Sequence, residues 1–318
     1  MSRVRVLSVD GGGIRGIIPA LVLADLERRT GQPVCRMFDM LAGTSTGGLL
    51  VLGLAMPDGR GEPVMRSEHI IELYEKAGQN IFVRDTHNPW HALLHERYNS
   101  DHIERTLDRF FQDTPLSAAA TDVLVTSYDL LARDVYLMSS WNARDNPRQD
   151  VPMRVAARAT SAAPTYFDPV SVATGEPVQE RLLIDGGVCA NSPAMCAYAE
   201  VQRRLPGAEV VMLSLGTGET SRPYPHHEVR DWGLAHWARV ILHVVIDGAS
   251  EMTHLQLREL LEPSRYLRMQ VALERANDHL DDASDDNIEM LRTEAERLIA
   301  QSDEQLDRIA ALLTEAAV

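Results

Sequence analysis

Lysine is almost absent from this chain of 318 residues, because Lys76 is the only lysine among 31 basic residues. A Schiff-base or Walker-type lysine mechanism would therefore have to use Lys76. That residue lies in the segment IIELYEKAG, which has no glycine-rich phosphate loop before it. The sequence thus argues against lysine chemistry and against a P-loop nucleotide site.

Aromatic side chains and net positive charge are also scarce. Aromatic residues make up 5% of the chain, which argues against recognition of single-stranded nucleic acid by base stacking. Asp and Glu outnumber Lys and Arg by 46 to 31, giving a net charge of −15. Proteins that bind the phosphate backbone normally have the opposite balance, so we expect no nucleic-acid partner.

Paired cysteines and long hydrophobic runs are missing as well. Cys35, Cys189 and Cys196 form no CxxC pattern, which argues against a disulfide framework or a thiolate zinc site. The longest uncharged stretch, Met40–Pro57, contains GTSTGG and is therefore not interpreted as a membrane span. The first ten residues indicate a strand rather than a signal peptide. We expect a cytoplasmic protein, with peripheral contact at the inner membrane face as a further possibility.

Short apolar strands alternate with segments of helical periodicity along the first 235 residues. Strands are predicted in VRVLSV, at 40–43, in DVLVTSYDL, DVYLMSSW, RLLIDGG and EVVMLSLGTG. Helices are predicted after Gly13, after Ser45, near 67–77, at 100–111 and in PMRVAARATSAA. This alternation predicts an α/β fold with a mostly parallel central sheet, whose ligands bind at the carboxyl ends of the strands.

The pattern after about residue 235 is helical only. Ser302 and Gln305 form a predicted capping box before the last helix. We expect one domain over residues 1–318, in which residues 235–318 form an all-helical layer. The apolar residues of this region are expected in the core, the alternative being a membrane-contacting surface. They are Trp232, Leu234, Trp237, Val240, Ile241 and Val244.

A GxSxG pattern, Gly43-Thr-Ser45-Thr46-Gly47, lies between an apolar strand and an apolar helix. The bare pattern also arises by chance, but this context is the one that a nucleophilic serine requires. Flanking glycines permit a sharp turn that exposes the Ser45 hydroxyl. The Thr46 amide then points toward the oxyanion that develops during acyl transfer.

A second glycine-rich turn, Gly11-Gly12-Gly13-Ile-Arg15-Gly16, follows the first strand and matches GxGxxG. This pattern also suits dinucleotide binding, but Asp39, the nearby acid for a ribose, precedes its strand instead of ending it. Gly12 and Gly13 could instead donate backbone N–H groups to an oxyanion. Arg15 could contact an anionic substrate group or hold the loop in place.

Asp185 follows a third apolar strand and precedes Gly186 and Gly187. A serine nucleophile needs a base, and none of the 11 histidines has a comparable position at a strand end. A buried carboxylate whose pKa is raised toward neutrality can serve instead. Asp185 is therefore the best candidate base for Ser45.

Together and in this order, DGGGIRG, GTSTGG and DGG resemble the motifs of the patatin-like phospholipases. Three further segments are also similar to that family: ATSAAPTYF at 159–167, LSLGTG at 213–218 and LDDAS at 280–284. The resemblance implies an α/β fold with helices on both faces of the sheet and a lipid acyl hydrolase with a Ser–Asp dyad. Ser45 would be the nucleophile, Asp185 the base, and the Gly11–Gly16 turn with Thr46 the oxyanion hole.

The resemblance further implies a phospholipid or other acyl-lipid substrate, transient contact with a membrane surface, and no cofactor. Some members of the family are bacterial antiphage effectors gated by a cyclic dinucleotide, and we keep such an activator as a secondary hypothesis. A homo-oligomer is a further possibility. Two rival functions are a dinucleotide-binding enzyme and a non-catalytic lipid-binding module.

A metal site is the remaining alternative. His87, His91 and His95 have the spacing that places side chains on one face of a helix. Pro89 interrupts that helix, and the sequence lacks the second histidine of HExxH. We therefore expect no metal.

Overall fold

The computed structural model of the chain describes residues 2–81, 98, 100–175, 177–220 and 223–315. Within these residues one eight-stranded sheet has the order β5-β6-β3-β2-β1-β7-β8, and β4 pairs with β3. The strands are β1 Arg3–Val9, β2 Met40–Gly43, β3 Asp122–Asp129, β4 Asp134–Ser139, β5 Val170–Thr174, β6 Gln179–Asp185, β7 Glu209–Leu215 and β8 Tyr266–Met269.

The centre of the sheet is parallel and one side of it is antiparallel. β1 pairs in parallel with β2 and β7, β2 with β3, and β7 with β8. The pairs β3–β4, β3–β6 and β5–β6 are antiparallel. The prediction of an α/β fold with a mostly parallel sheet is confirmed.

Helices connect most of the strands. They are α1 Ile17–Thr30, α2 Val34–Met37, α3 Thr46–Leu54, α4 Ser67–Ile81, α5 Ser100–Phe111, α6 Ser140–Asp145, α7 Met153–Thr160, α8 Gly187–Ala190, α9 Ala194–Arg204, α10 His226–Val229, α11 Leu234–Leu260, α12 Asp285–Gln301 and α13 Asp303–Thr314. Among the described residues, no helix is both long enough and apolar enough to cross a bilayer.

Both faces of the sheet are covered by apolar layers. Leu7 and Val9 of β1 belong to a large buried cluster with α1, α3, α12 and α13. Val6 points the other way, into a smaller cluster with Val201 of α9 and Leu257 of α11. Successive side chains of a strand alternate between faces, so β1, which buries apolar side chains on both faces, requires helices on both sides.

Two expectations for the C-terminal region are wrong. Residues 266–269 form β8, a short strand that pairs with β7, so the region is not all-helical. Four residues are too few to show a strand period, and their partners lie about fifty positions earlier. In addition, the Ser302 side chain makes no capping hydrogen bond at the start of α13.

The expectation that the apolar residues near 232–244 belong to the core is also wrong for the exposed members. Trp237, Ile241 and Val244 of α11 are 40–46% exposed. Trp232 and Val240 are half-buried. A helical apolar stripe shows that one face is apolar, but it does not say whether another element packs on that face.

Candidate active site

The ends of β2 and β6 meet on one edge of β3. Gly43, the last residue of β2, pairs with Val125, and Asp185, the last residue of β6, pairs with Ser127. β4 occupies the other edge of β3 over the same residues. Because β2 is parallel to β3 and β6 is antiparallel to it, their carboxyl ends approach each other. The turns that follow them are therefore brought together.

Ser45 occupies a strained turn between β2 and α3. Its backbone angles are φ 54° and ψ −123°, in a region that side-chain-bearing residues rarely adopt. A Cβ on Gly47 would lie 2.7 Å from the carbonyl oxygen of Asp10, so only glycine fits against the end of β1. The Ser45 amide donates to Thr160 Oγ1 at 3.0 Å, which fixes the turn from a second side.

Asp185 is buried next to Ser45. Both residues line the same cavity, and the Gly187 amide donates to Asp185 Oδ1 at 2.7 Å. Burial raises the pKa of Asp185 to about 6, and the neighbouring Ser45 side chain and the Gly187 amide oppose the increase because they favour the ionised carboxylate. The structure thus brings the two predicted residues into contact, with the carboxyl in the ionisation range of a base at neutral pH.

Three residues that line the cavity have backbone amides without an acceptor in the described part of the chain. They are Gly12, Gly13 and Thr46. Thr46 is the first residue of α3, where the helix dipole adds positive potential. Gly11 differs from the prediction, because its amide donates to the carbonyl oxygen of Asn191 at 3.0 Å. The Gly11 amide is therefore already used and does not serve as an oxyanion donor in this arrangement.

Arg15 holds the glycine-rich loop in place, which was one of its two predicted roles. Its Nε donates to the Gly12 carbonyl oxygen at 3.3 Å, and Nη1 donates to the Gly218 carbonyl oxygen at 3.2 Å. Burial lowers the pKa of Arg15, and attraction to Asp247 offsets part of that decrease. Gly16 packs beneath Thr46, at a distance that leaves no room for a Cβ.

Gly186 closes the other side of the site. A Cβ at this position would lie 2.6 Å from the carbonyl oxygen of Thr126 on β3. Gly187 is less constrained, since its Cβ would lie 3.2 Å from Asp185 Oδ1. The DGG motif therefore allows the chain to leave β6 in close contact with β3 while one of its amides binds the carboxylate.

The two predicted residues lie in a cavity whose remaining wall is mostly apolar. Aliphatic and aromatic side chains from α3, α4, α5 and the segment after α7 form this wall. They are Leu49, Leu50, Ile70, Leu73, Ile103, Leu107, Phe110, Phe111 and Phe167. The cavity therefore combines the polar groups of Ser45 and Asp185 with a mostly apolar lining.

Three further lining residues were missed by sequence reasoning. Asn191 lies beside Gly11, accepts its amide hydrogen, and donates from Nδ2 to Ser250 Oγ at 3.1 Å. His243 and Asp247 of α11 also line the cavity. Asn191 shortly follows the DGG motif, a proximity that could have drawn attention to it. His243 and Asp247 carried no local signal.

The rival dinucleotide interpretation of GxGxxG finds little support in these contacts. Asp39, the candidate ribose ligand, precedes β2 and forms an ion pair with Arg5 at 2.8 Å. It therefore lies at the opposite end of β2 from the glycine-rich turn. A Cβ on Gly12 would lie 2.5 Å from Thr217 Cβ, so the turn is packed against protein.

No group of three or more potential metal ligands lies together in the part of the chain that the structure describes. His87, His91 and His95 lie outside the described residues. The prediction that they do not bind a metal is therefore untested.

Comparison with known proteins agrees with the motifs. A family model described as patatin-like phospholipase matches residues 7–198. Patatin-17 of Solanum cardiophyllum is 31% identical, over 98% of this chain and 90% of its own length. Patatin-like protein 2 of Arabidopsis thaliana is 32% identical, over 84% of this chain and 75% of its own length.

Among solved structures, VipD from Legionella pneumophila covers 94% of this chain and 67% of its own, with a TM-score of 0.40 and 11% identity. That similarity is too weak to compare sites. The family model and the full-length relatives carry the assignment. The chain belongs to the patatin-like phospholipase family, and this membership supports a lipid acyl hydrolase.

Proposed function

We propose that the protein is a serine lipid acyl hydrolase of the phospholipase A or lysophospholipase type, with Ser45 as nucleophile and Asp185 as base. One observation carries the proposal. The Ser45 side chain lies beside the buried carboxyl of Asp185, and both line a cavity that is mostly apolar. A nucleophile, a base and an apolar binding surface are the parts that cleavage of a fatty-acyl ester requires.

Asp185 accepts the proton of Ser45 as the hydroxyl attacks the ester carbonyl. With a pKa of about 6, the carboxyl is mostly ionised at neutral pH and more basic than an exposed aspartate. The hydrogen bond from Gly187 holds Oδ1 in place. The same proton is then delivered to the leaving alcohol, and a water molecule activated by Asp185 hydrolyses the acyl-enzyme.

The oxyanion of each tetrahedral intermediate accepts hydrogen bonds from backbone amides. Gly12, Gly13 and Thr46 supply the candidate donors, since they line the cavity and their amides lack other acceptors among the described residues. The start of α3 adds positive potential at this point. Arg15 contributes by fixing the Gly12 carbonyl, and hence the direction of the adjacent peptide units.

The lining of the cavity favours a long acyl chain over a small polar ester. The wall beyond Ser45 consists of the leucine, isoleucine and phenylalanine side chains of α3, α4 and α5. Burial of each methylene group there stabilises the bound chain by about 0.8 kcal/mol. The lining also contains the charged or polar side chains of Arg15, His243 and Asp247, which are the candidates for contact with a lipid headgroup.

Activity-based labelling tests the nucleophile directly. A fluorophosphonate probe is expected to label the wild-type protein and to fail with Ser45→Ala. Ser161→Ala is the matched control, because Ser161 lies in the same cavity but donates its hydroxyl to the Ala157 carbonyl oxygen at 2.7 Å. Labelling that survives Ser45→Ala and disappears in Ser161→Ala would show that Ser161, and not Ser45, is the nucleophile.

Lipid profiling then tests the reaction. Fatty acid release from phospholipid and lysophospholipid vesicles is expected for the wild type and not for Ser45→Ala. An absence of both label and release in folded wild-type protein would contradict the hydrolase proposal. Repeating the assay with and without cyclic dinucleotides addresses the gating hypothesis. Gating, self-association and a cytoplasmic location stay predictions, because no contact among the described residues bears on them.

A further inference from the structure

An apolar stripe on α11 is left uncovered. Trp237, Ile241, Val244, Val245, Met252 and Leu255 are each 37–54% exposed. Their positions follow the helical repeat, so they lie on one side of the helix over about 27 Å. We call these six residues the α11 stripe.

The opposite side of α11 faces the protein. Leu257 is fully buried in the smaller core cluster, and His243 and Ile246 line the cavity that contains Ser45. A surface helix normally turns its apolar side inward and its polar side toward water. α11 presents apolar residues on both sides, which is the pattern of a helix that contacts a second apolar phase.

The cavity reaches the protein surface beside α11. Asp247 lines the cavity and is also exposed. Among the described residues that line the cavity, Asp247 is the only exposed one. The α11 stripe therefore flanks a mouth of the cavity.

The first half of α11 and the residues just before it contain little charge and several aromatic rings. Although the chain carries a net charge of −15, residues 232–246 contain no acidic residue and one arginine, Arg239. Just before the helix, Tyr224 and Trp232 pack edge to face, and Trp232 packs in the same way on Trp237. Amphipathic aromatic rings of this kind are favoured at the boundary between water and lipid.

We propose that the α11 stripe docks on the surface of a lipid aggregate and places the cavity mouth against it. This inference rests on the proposed function, because it concerns how a lipid acyl chain reaches Ser45. The substrate then passes from the lipid layer past α11 into the apolar cavity without crossing water. Apolar contact provides the attraction, while the net negative charge of the chain opposes binding to anionic membranes.

Vesicle binding tests the surface independently of catalysis. In a Ser45→Ala background, we expect the full chain to float with phosphatidylcholine vesicles. The double substitution Ile241→Glu and Val244→Glu is expected to weaken this binding at least about tenfold, since two apolar contacts are lost and two charges are added. Adding phosphatidylglycerol to the vesicles is expected to weaken binding rather than strengthen it.

Leu205→Glu is the matched control. Leu205 is 48% exposed, close to the 49% of Val245, but it lies at the end of α9 just before β7 starts. It is therefore at the opposite end of the sheet from Ser45. This variant is expected to bind vesicles as the Ser45→Ala parent does. An equal loss in Leu205→Glu would show that added charge, and not the α11 stripe, controls binding.

A second measurement separates docking from a folding defect. In the active chain, the double variant should hydrolyse a water-soluble short-chain ester at the wild-type rate and vesicle phospholipid at least about tenfold more slowly. Vesicle binding unaffected by the double substitution would overturn the proposal. So would dimers that the double substitution dissociates, because a second copy would then cover the stripe. Absence of hydrolysis with vesicle binding intact would contradict only the proposed function.

Discussion

The turns at Ser45 and Asp185 follow two strands that pair with the same edge of β3, yet the two turns have different free-energy costs. At Ser45 the cost is conformational, because a residue with a side chain adopts φ 54°. At Asp185 the cost is electrostatic, because a carboxyl is buried and its pKa rises to about 6. Asp185 is the last residue of a regular strand and is not among the residues with positive φ, whereas the Ser45 side chain carries no charge of its own.

This difference shows which property of each residue the site depends on. The serine must project from its turn so that its hydroxyl reaches both a substrate and the carboxyl. The aspartate must be desolvated so that it remains basic enough to accept a proton at neutral pH. Substitutions that relieve either cost should therefore stabilise the fold while removing activity.

The largest expected difference between the two turns is in turnover. Ser45→Ala removes the nucleophile and should abolish acyl transfer, whereas Asp185→Asn should lower kcat by about 10²–10⁴ because it removes a general base. Initial rates with a chromogenic ester and circular dichroism of each variant provide the measurement. Full activity in a folded Asp185→Asn protein would exclude Asp185 from the mechanism.

The second prediction concerns stability and its pH dependence. The folded protein holds a proton on Asp185 between about pH 4 and 6, where the unfolded chain has lost it. Wild-type stability therefore falls as the pH rises through that window. Asp185→Asn should be more stable by about 3 kcal/mol above pH 7, and the gain should vanish near pH 4.

Denaturant unfolding at several pH values measures this gain. The matched comparison is Asp25→Asn, since Asp25 is an aspartate in ion pairs with Arg28 and Arg29. That variant should lose stability at neutral pH instead of gaining it. A neutral-pH loss of stability in Asp185→Asn would show that burial of this carboxylate carries no net cost.

Both turns depend on a glycine that allows close backbone contact. Gly186→Ala would place a methyl 2.6 Å from the Thr126 carbonyl oxygen and should cost about 1–3 kcal/mol or more. Gly59→Ala, which has nothing within 4 Å of its added Cβ, should change stability by less than about 0.5 kcal/mol. Thermal unfolding of the two variants tests the comparison, and equal melting temperatures would contradict it.

The pH dependence of activity should depend on the ionisation of Asp185 and not on the turn at Ser45. With Asp185 as the base, kcat/KM should rise with an apparent pKa of about 6 and fall about tenfold between pH 7 and pH 5. A pH series with an uncharged ester substrate measures this. A profile that is flat from pH 5 to pH 8 would mean that Asp185 does not titrate as the base.

The smallest expected effect is on stability and measures the backbone strain at Ser45. Ser45→Gly should be more stable than Ser45→Ala by about 1 kcal/mol, because glycine tolerates positive φ. At the exposed helical position Ala311 the sign should reverse, so that Ala311→Gly is destabilising. Chemical denaturation resolves both differences. Equal stability of the two Ser45 variants would mean that the turn stores little strain.

Local sequence signals predicted the elements of the site well. The strand at Met40–Gly43 and the helix at Ser100–Phe111 have the predicted bounds, and a helix follows Ser45 as the motif requires. These elements depend on hydrophobic period and on glycine positions, which are properties of neighbouring residues. The exposed stripe of α11 and the strand β8 were not predicted, because both depend on which distant element packs alongside them.

Sequence alone determined that a serine would stand on a glycine-flanked bend before an apolar helix, since bends, helix starts and strand ends are set by residues within a few positions. It also singled out Asp185, through its motif, as a carboxylate at a strand end. Tertiary structure decided that the two meet, because β3 aligns the ends of β2 and β6 although 140 positions separate Ser45 from Asp185. Packing also decided that the Gly11 amide is occupied by Asn191 and that desolvation makes Asp185 basic, since hydrogen-bond partners and burial arise only from the assembled fold.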